Sequence, residues 1–167
     1  MEKGPEGRAA IRRGDLGSPV ARRLIAALND ELAPIYPEAG ANHFRLDVEE
    51  VEPGRGAFFL AYLGDEPVGC GAVRCLDEET AEVKRMYVVP AHRGRGVGRA
   101  ILGEIEAEAR RLGVARLVLE TGGRQPEVLA LYASAGFAQI PRFGEYLASP
   151  LSVCMGKSLS RPSVRRT

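Results

Sequence analysis

The pattern of apolar and polar positions changes its period about halfway along the chain. In the first half, short apolar runs are separated by polar or glycine-containing turns, which is typical of β-strands. These runs are Ala9–Arg13, Ala57–Leu63, Pro67–Leu76 and Thr80–Val89. The turns between the last three are only two or three residues long, so the pattern predicts two hairpins and an antiparallel start to the sheet.

Helical spacing of apolar residues predicts three main helices. The first begins with Ser18 as its cap and Pro19 as its first residue, and it ends near Pro34. The second repeats apolar residues every three or four positions from Val97 to Leu112, and the third runs from Gln125 to Ala135. Glycines follow the last two and supply C-terminal stops.

The order of elements in the second half predicts the fold class. A buried strand at Ala115–Glu120 follows a helix that itself follows a strand, and this order implies a right-handed parallel crossover. Two further strands are predicted in FAQI and SVCMGKSL. The sequence therefore predicts an α/β fold with a mixed central sheet of about six or seven strands. The sheet is antiparallel at its N-terminal side with a parallel central pair, and helices cover both faces.

One domain accounts for the whole pattern. We predict a single domain over residues 9–159, with a disordered N-terminus over 1–8 and a disordered basic tail over 160–167, because both ends are polar and aperiodic. A chain of 167 residues is long enough to bury a sizeable core.

Composition excludes several classes of function. Lys and Arg number 23 and Asp and Glu 22, so no overall field favours a nucleic acid partner. No apolar run approaches the roughly 20 residues of a membrane span, and the polar start lacks the apolar core of a secretory signal. The three cysteines are odd in number and lack metal-ligand spacing. We predict a cytoplasmic protein that binds neither nucleic acid nor membrane.

The loop before the second helix predicts an anion site. The segment VVPAHRGRGVG, 88–98, has Arg99 and Ala100 after Gly98, where a triphosphate-binding loop needs Lys and Ser or Thr. The dinucleotide pattern also fails, because its third glycine would fall at Arg99. What remains is Arg93-x-x-Gly96-x-Gly98, in which backbone N–H groups and the helix N-terminus can hold a pyrophosphate without a metal ion.

Two motifs resemble the GNAT family of N-acetyltransferases. The family's acetyl-coenzyme A motif, Q/R-x-x-G-x-G/A after a strand ending in V-x-P, is similar to the same loop. Its pattern N-x-x-A-x-x-x-Y-x-x-x-G-F is similar to QPEVLALYASAGF, with Tyr132, Gly136 and Phe137 in place. Gln125 and Val128 depart from the pattern, and the first departure removes an Asn that would bond the cofactor. Other segments resemble small stand-alone bacterial members.

The resemblance implies acetyl-CoA as co-substrate and a set of residues that bind it. It implies that the strand at Met86–Val88 pairs its backbone with the pantetheine arm, with a bulge near Tyr87 and Val88 that frees an N–H for the thioester oxygen. Tyr87 is otherwise a core aromatic. The implied cofactor-binding residues are Met86, Tyr87, Val88, Arg93, Gly94, Arg95, Gly96, Val97, Gly98, Arg99, Gln125 and Tyr132.

Acetyl transfer to an amine needs a base for the ammonium and a proton donor for the departing thiolate. By resemblance Tyr132 is the donor, although it could instead be a core tyrosine beneath Phe137. Glu82 and Glu120 compete as the base, with a small preference for Glu82 because family bases commonly come from that strand. Either could also be an ordinary strand-end carboxylate.

Three cations are candidates for binding the acceptor. Lys84 and Arg85 are adjacent in a strand, so we expect them to point to opposite faces, and a central strand should not bury two unpaired cations. A substrate carboxylate, Glu82 or Glu120, or a cofactor phosphate could each neutralise them, and Arg74 could join the site. Structural ion pairs are the alternative. His43 and His92 lack metal-ligand partners, so no metal is expected.

These observations predict direct transfer of an acetyl group to the primary amine of a small metabolite that carries a carboxylate. Two alternatives stay open. The chain could be an acyl-CoA-binding sensor or interaction module without turnover, or it could acetylate proteins or peptides. A homodimer is a further expectation from the family resemblance.

Overall fold

The computed structural model describes residues 8–38 and 44–159. One mixed seven-stranded sheet, in the order β1-β2-β3-β4-β5-β7-β6, forms the centre of the molecule. The strands are β1 (Ala10–Arg13), β2 (Gly56–Leu63), β3 (Glu66–Cys75), β4 (Thr80–Val88), β5 (Arg116–Gly122), β6 (Ala138–Ile140) and β7 (Ser152–Ser158). Only β4 and β5 are parallel, while every other neighbouring pair is antiparallel. The predicted fold class is confirmed.

Three α-helices accompany the sheet, namely α1 (Pro19–Ile35), α2 (Val97–Arg111) and α3 (Pro126–Ser134). The Ser18 hydroxyl accepts a hydrogen bond from the Ala21 amide and caps α1 as predicted. Pro34 lies inside the last turn of α1 rather than ending it, and the helix ends one residue later. In the described part of the chain, no helix is long and apolar enough to cross a membrane.

Two apolar cores lie on opposite faces of the sheet, as expected for helices on both faces. One core packs α2 against the sheet through Ile101 and Ile105, which are fully buried. The other packs Leu24 of α1 against Phe58 and Leu60 of β2. This arrangement leaves the carboxyl ends of β4 and β5 at the centre of the sheet, where open α/β sheets bind their ligands.

The predicted disordered ends, apart from Arg8, lie outside the described residues, and so does His43. A 3-10 turn, Val48–Val51, precedes β2. Another 3-10 turn, Gly144–Tyr146, lies in the connection between β6 and β7 and contributes Tyr146 to the site.

Candidate active site

A pocket opens where the two parallel strands separate. The pairing of β4 with β5 ends at Val83 and Leu119, and beyond that point the strands diverge. Val83 to Met86 line one side of the pocket and Glu120 to Gly122 line the other. The remaining wall comes from α1, α3 and the connection before β7, including Leu28, Leu32, Tyr36, Phe44, Gln125, Val128, Tyr132, Tyr146, Leu151 and Ser152.

A bulge in β4 re-aims two cationic side chains. Cys70 pairs with Tyr87 but Ala72 pairs with Lys84, so Arg85 and Met86 together oppose the single residue Gly71. Arg85 has a φ of 58°, the left-handed conformation that is uncommon for a residue other than glycine. The prediction of a bulge near Tyr87 and Val88 is therefore wrong by about two residues.

The bulge also overturns the expectation that Lys84 and Arg85 point to opposite faces. A bulge breaks the strict alternation of a strand, and both side chains line the same pocket. Lys84 Nζ donates a hydrogen bond to the Tyr146 hydroxyl at 2.9 Å. Arg85 donates to the backbone carbonyl of Phe44 at 2.7 Å, and the Phe44 ring packs edge-on against that of Tyr146.

Arg85 differs from the other two predicted substrate-binding cations in its partners. Arg74 bonds Glu50, Glu82 and Glu145 and lies outside the pocket. Lys84 Nζ lies 3.7 Å from Glu145 Oε2 and also donates a hydrogen bond to the Tyr146 hydroxyl. Arg85 has no carboxylate partner among the described residues, and burial lowers the pKa of its guanidinium. Arg85 is thus the cation in this pocket whose charge is left without a carboxylate.

Tyr132 of α3 lines the pocket while its ring packs in the core. It is 5% exposed, and its ring lies edge-on to Phe137 with centroids 5.9 Å apart. Its hydroxyl makes no hydrogen bond with any of the described residues. Burial, and then the charge of Glu120, raise the pKa of the Tyr132 hydroxyl, so it stays protonated and can act as a donor. The two sequence-based interpretations of Tyr132, as acid and as core aromatic, are therefore compatible.

Glu120 shares this pocket with Tyr132. Its Oε2 accepts a hydrogen bond from the Ser152 hydroxyl at 2.6 Å. Burial raises the pKa of Glu120, and the Ser152 bond and the Lys84 charge oppose that rise only in part. A carboxylate with a raised pKa is a stronger base than an exposed one, which is what removing a proton from an ammonium requires.

Glu82 lies behind the pocket wall. It is 1% exposed, and its Oε1 accepts hydrogen bonds from Arg74 Nε at 3.0 Å and Nη2 at 2.9 Å. Its Oε2 accepts from the Tyr146 hydroxyl. Glu82 lines a neighbouring cavity, whereas Tyr146 lines the pocket. Of the two candidate bases, Glu120 lines the pocket and Glu82, which had the small preference, does not.

The loop before α2 forms a cradle of unused backbone donors. Gly94 and Gly96 have φ values of 79° and 85°, and Gly96 is the N-cap residue of α2. Within the described part of the chain, no hydrogen bond occupies the amides of Gly94, Arg95, Gly96, Val97, Gly98 or Arg99. Unused amides at a helix N-terminus fit a pyrophosphate, as the motif predicts.

The three arginines of this loop have different surroundings. Arg93 donates to Glu31 at 2.7 Å and to the Val88 carbonyl at 2.8 Å, and it lies over the Tyr87 ring. Arg99 donates to Ser134 of α3. Arg95 makes no ion pair with any described residue. Of these three arginines, only Arg95 makes no side-chain hydrogen bond or ion pair with described residues in this conformation. Its guanidinium is therefore available to bind a phosphate.

The edge of β4 beyond Val83 lacks a neighbouring strand on the β5 side, so its backbone is available for the extended arm of acetyl-CoA. Met86 lines the pocket there, while Tyr87 is buried against α1 in the second core. Gln125 precedes α3 and accepts a bond from the Tyr36 hydroxyl at 3.4 Å. Among the described residues no group of three or more His, Cys, Asp or Glu could hold a metal ion.

Sequence reasoning did not single out Phe44, Tyr146 or Ser152 as site residues, although all three line the pocket. Phe44 and Tyr146 lie in weakly patterned segments, and they reach the site only through tertiary packing. Ser152 begins β7, whose pairing with β5 places it beside Glu120. No local signal distinguishes Phe44 or Ser152. For Tyr146, its position as an aromatic residue in a polar connection is a weak sign that it packs over another part of the protein.

Comparison with known proteins agrees with this architecture. Residues 22–137 match the Acetyltransferase (GNAT) family. An IAA acetyltransferase of Azospirillum brasilense is 42% identical over 139 residues, covering 82% of this chain and 89% of that protein. YsnE, an N-acetyltransferase of Bacillus subtilis, is 38% identical over 141 residues, covering 83% of this chain and 93% of that protein.

Solved structures share the fold. A protein of Klebsiella pneumoniae assigned as an acyl-CoA N-acyltransferase is 31% identical, with a TM-score of 0.80 over 93% of this chain and all of that one. A GNAT acetyltransferase of Elizabethkingia anophelis with acetyl-CoA bound has the same fold at 21% identity, with a TM-score of 0.65 over 90% of this chain and 98% of that one. The chain therefore belongs to the GNAT family of acetyltransferases.

Proposed function

We propose that this acetyltransferase moves the acetyl group of acetyl-CoA directly to the primary amine of a small metabolite that carries a carboxylate. The main support for a carboxylate on the acceptor is the position of Arg85. Its guanidinium is largely buried, bonds a backbone carbonyl and lacks a carboxylate partner among the described residues, and it lines the same pocket as Tyr132 and Glu120. Burying a positive charge that has no carboxylate partner costs free energy. A carboxylate on the acceptor would therefore be bound strongly there.

The size of the pocket supports a small acceptor. Its volume is about 160 Å³. Apolar side chains of α1, Leu28 and Leu32, line the side contributed by that helix. An amine with a short carbon skeleton and one carboxylate fits this combination better than the surface of a folded protein.

The chain's residues fit acetyl-CoA, which supplies the acetyl group already activated as a thioester. The free amides from Gly94 to Arg99 would hold its pyrophosphate, and Arg95 would add a charge-assisted bond. The unpaired edge of β4 would hold its extended arm. The bulge at Arg85 and Met86 leaves irregular backbone beside the pocket, where an N–H can meet a carbonyl oxygen that develops negative charge.

Glu120 and Tyr132 then divide the proton transfers. Glu120, directly or through a water molecule, takes the proton from the acceptor's ammonium, so that the amine lone pair can attack the thioester carbon. Tyr132 gives its proton to the sulfur as the carbon–sulfur bond breaks, and the second proton of the acceptor nitrogen returns to the Tyr132 oxygen, so that a neutral amide is released. The raised pKa of Glu120 makes it a more basic acceptor of the first proton, and the raised pKa of Tyr132 keeps its phenol protonated until the thiolate forms.

Thiol release provides the test. Purified protein is mixed with acetyl-CoA and pairs of amines that differ only in their carboxylate, such as an amino acid and its amide, and free thiol is measured. We expect a lower KM for the carboxylate form, a KM raised about tenfold or more in Arg85→Ala, and no change for the amide. Arg23→Ala, an exposed residue of α1, is the matched control.

Other outcomes of the same assay would favour the alternative functions. Binding of acetyl-CoA without thiol release in the presence of amino acids, polyamines or peptides would indicate a sensor. The departures from the family motif at Gln125 and Val128 are compatible with a sensor. Release with peptide N-termini alone would indicate a peptide acetyltransferase. Equal KM values for both members of each amine pair would contradict the role of Arg85.

A further inference from the structure

Two serine hydroxyls form a chain that leads away from Glu120. Ser152 Oγ donates to Glu120 Oε2 at 2.6 Å, and Ser149 Oγ lies 2.7 Å from Ser152 Oγ. Ser152 is 7% exposed, whereas Ser149 is partly exposed. The chain therefore runs from a partly buried carboxylate that lines the pocket to a partly exposed residue outside the pocket lining.

The hydrogen count gives this chain a direction. Each serine hydroxyl has one hydrogen, and Ser152 gives its own to Glu120, so Ser149 is the donor in the bond between the two serines. All donors then point toward the ionised carboxylate. The backbone fixes the spacing, because the Ser152 amide donates to the Ser149 carbonyl at 3.1 Å and the Ser149 amide donates to the Tyr146 carbonyl at 3.0 Å.

We propose that Ser152 and Ser149 carry the proton that Glu120 takes from the acceptor to solvent. The inference rests on the proposed function, in which Glu120 is the base. Once Glu120 has taken the proton, both hydroxyls rotate so that Glu120 donates to Ser152 Oγ, Ser152 donates to Ser149 Oγ and Ser149 donates to water. Glu120 then gives its hydrogen to Ser152 as Ser152 gives its own to Ser149 and Ser149 gives its own to water. Each serine again carries one hydrogen, Glu120 is ionised, and the hydrogen bonds point toward it as before.

The other groups around Glu120 offer no equivalent route. The titratable groups that face it are Glu82, Lys84, Tyr132, Glu145, Tyr146 and Cys154. Tyr146 already gives its hydrogen to Glu82, and Lys84 gives one of its own to Tyr146. In the proposed mechanism, Tyr132 gives its proton to the departing sulfur. With an acceptor in the pocket, the serine pair is the hydroxyl path from Glu120 that these contacts leave free within residues 8–38 and 44–159.

The experiment compares the pH dependence of kcat in the whole protein for Ser149→Ala and Ser149→Thr. Ser149→Ala removes the outer hydroxyl without touching Glu120, so we expect kcat to fall about tenfold with an unchanged KM for the acceptor. Added imidazole should restore much of the lost rate, because a small buffer can exchange protons with Ser152. Ser149→Thr keeps a hydroxyl and should recover most of kcat.

Ser152→Ala supplies a readout that does not depend on turnover. Carbon-detected NMR titration of the Glu120 carboxyl should show its pKa rising when the Ser152 donor is lost, because that bond stabilises the carboxylate. An unchanged pKa would contradict the contact from which the path begins.

The failure of this inference differs from the failure of the proposed function. Should Glu120→Gln abolish turnover while Ser149→Ala retains the kcat of the unmodified protein at every pH, the path would be overturned and the base would stand. Equal losses in Ser149→Ala and Ser149→Thr would also overturn it, because they indicate packing. If Glu120→Gln retains full activity, the assignment of the base itself is wrong.

Discussion

The hydroxyl of Tyr146 donates a hydrogen bond to Glu82 and accepts one from Lys84. Its ring lies edge-on to Phe44 and Phe143, with centroids 4.7 Å and 5.2 Å away. Tyr146 thereby stands between the pocket and Glu82. Glu82 and Glu120, which the sequence presents as equivalent candidates, therefore differ in the structure. Glu82 is part of a buried ionic network, whereas Glu120 lines the pocket.

Tyr132→Phe is expected to slow the chemical step without unfolding the protein. The ring contact with Phe137 is retained and only the hydroxyl, which has no partner among the described residues, is lost. We expect kcat to fall about 100-fold with little change in the KM for acetyl-CoA. Thiol release measures the loss, and a Tm near that of the unmodified protein is the control. An unchanged kcat would leave Tyr132 as a core residue alone.

Exchanging each carboxylate for an amide should separate the roles of Glu120 and Glu82. Glu120→Gln should lower kcat about 100-fold and remove the acid limb of the pH profile. Glu82→Gln should instead lower the free energy of unfolding by about 3 kcal/mol, because it breaks a buried pair with Arg74. Urea unfolding and thiol release on both variants check this division. A large loss of stability in Glu120→Gln, with activity lost only in Glu82→Gln, would reverse it.

Thermal stability should respond to pH through Glu120. Its folded pKa is raised by burial, so the folded state binds this proton more tightly than the unfolded chain, and its ionisation costs stability. That cost is absent below the ordinary Glu pKa of about 4.3, grows as pH rises from there to the raised value, and is constant above it. Glu120→Gln should therefore match the unmodified protein in Tm at low pH and exceed it at neutral pH. Parallel Tm curves would contradict the raised pKa.

The left-handed backbone at Arg85 should make its substitutions unequal. Gly adopts a φ of 58° without strain, so Arg85→Gly should unfold with at least the stability of the unmodified protein while losing affinity for a carboxylate-bearing acceptor. L-residues are strained in this conformation, β-branched ones most, so Arg85→Val should be less stable than Arg85→Gly by at least about 1–2 kcal/mol. Urea unfolding gives both values, and equal stabilities of the two variants would argue against the bulge.

Two glycines of the α2 region provide a matched pair. Gly96 has a φ of 85° at the N-cap of α2, so Gly96→Ala should cost about 1–2 kcal/mol and raise the KM for acetyl-CoA by displacing the cradle. Gly103 lies inside α2 with open space around an added Cβ, and Gly103→Ala should gain about 0.5–1 kcal/mol with no effect on that KM. A raised KM in both variants would point to a general disturbance of the helix.

Much of the fold could be predicted because its signals are local. Alternation and turns mark β2 to β4, while Ser18 and Pro19 mark the start of α1. The loop before α2 was also predictable, since its glycines and the helix that follows are contiguous in the chain. The bulge at Arg85 was placed two residues too late, because a bulge depends on how two strands pair and leaves only a weak trace in either one.

The sequence by itself determined the order of elements, the anion cradle ahead of α2 and the spacing that carries Tyr132. Tertiary structure alone decided which carboxylate lines the pocket. Glu82 and Tyr146 are 64 positions apart, and Glu120 and Ser152 are 32 apart. Each contact forms only when the sheet brings distant segments together, and burial and hydrogen bonding there, rather than residue type, separate the ion-paired Glu82 from the pocket-lining Glu120.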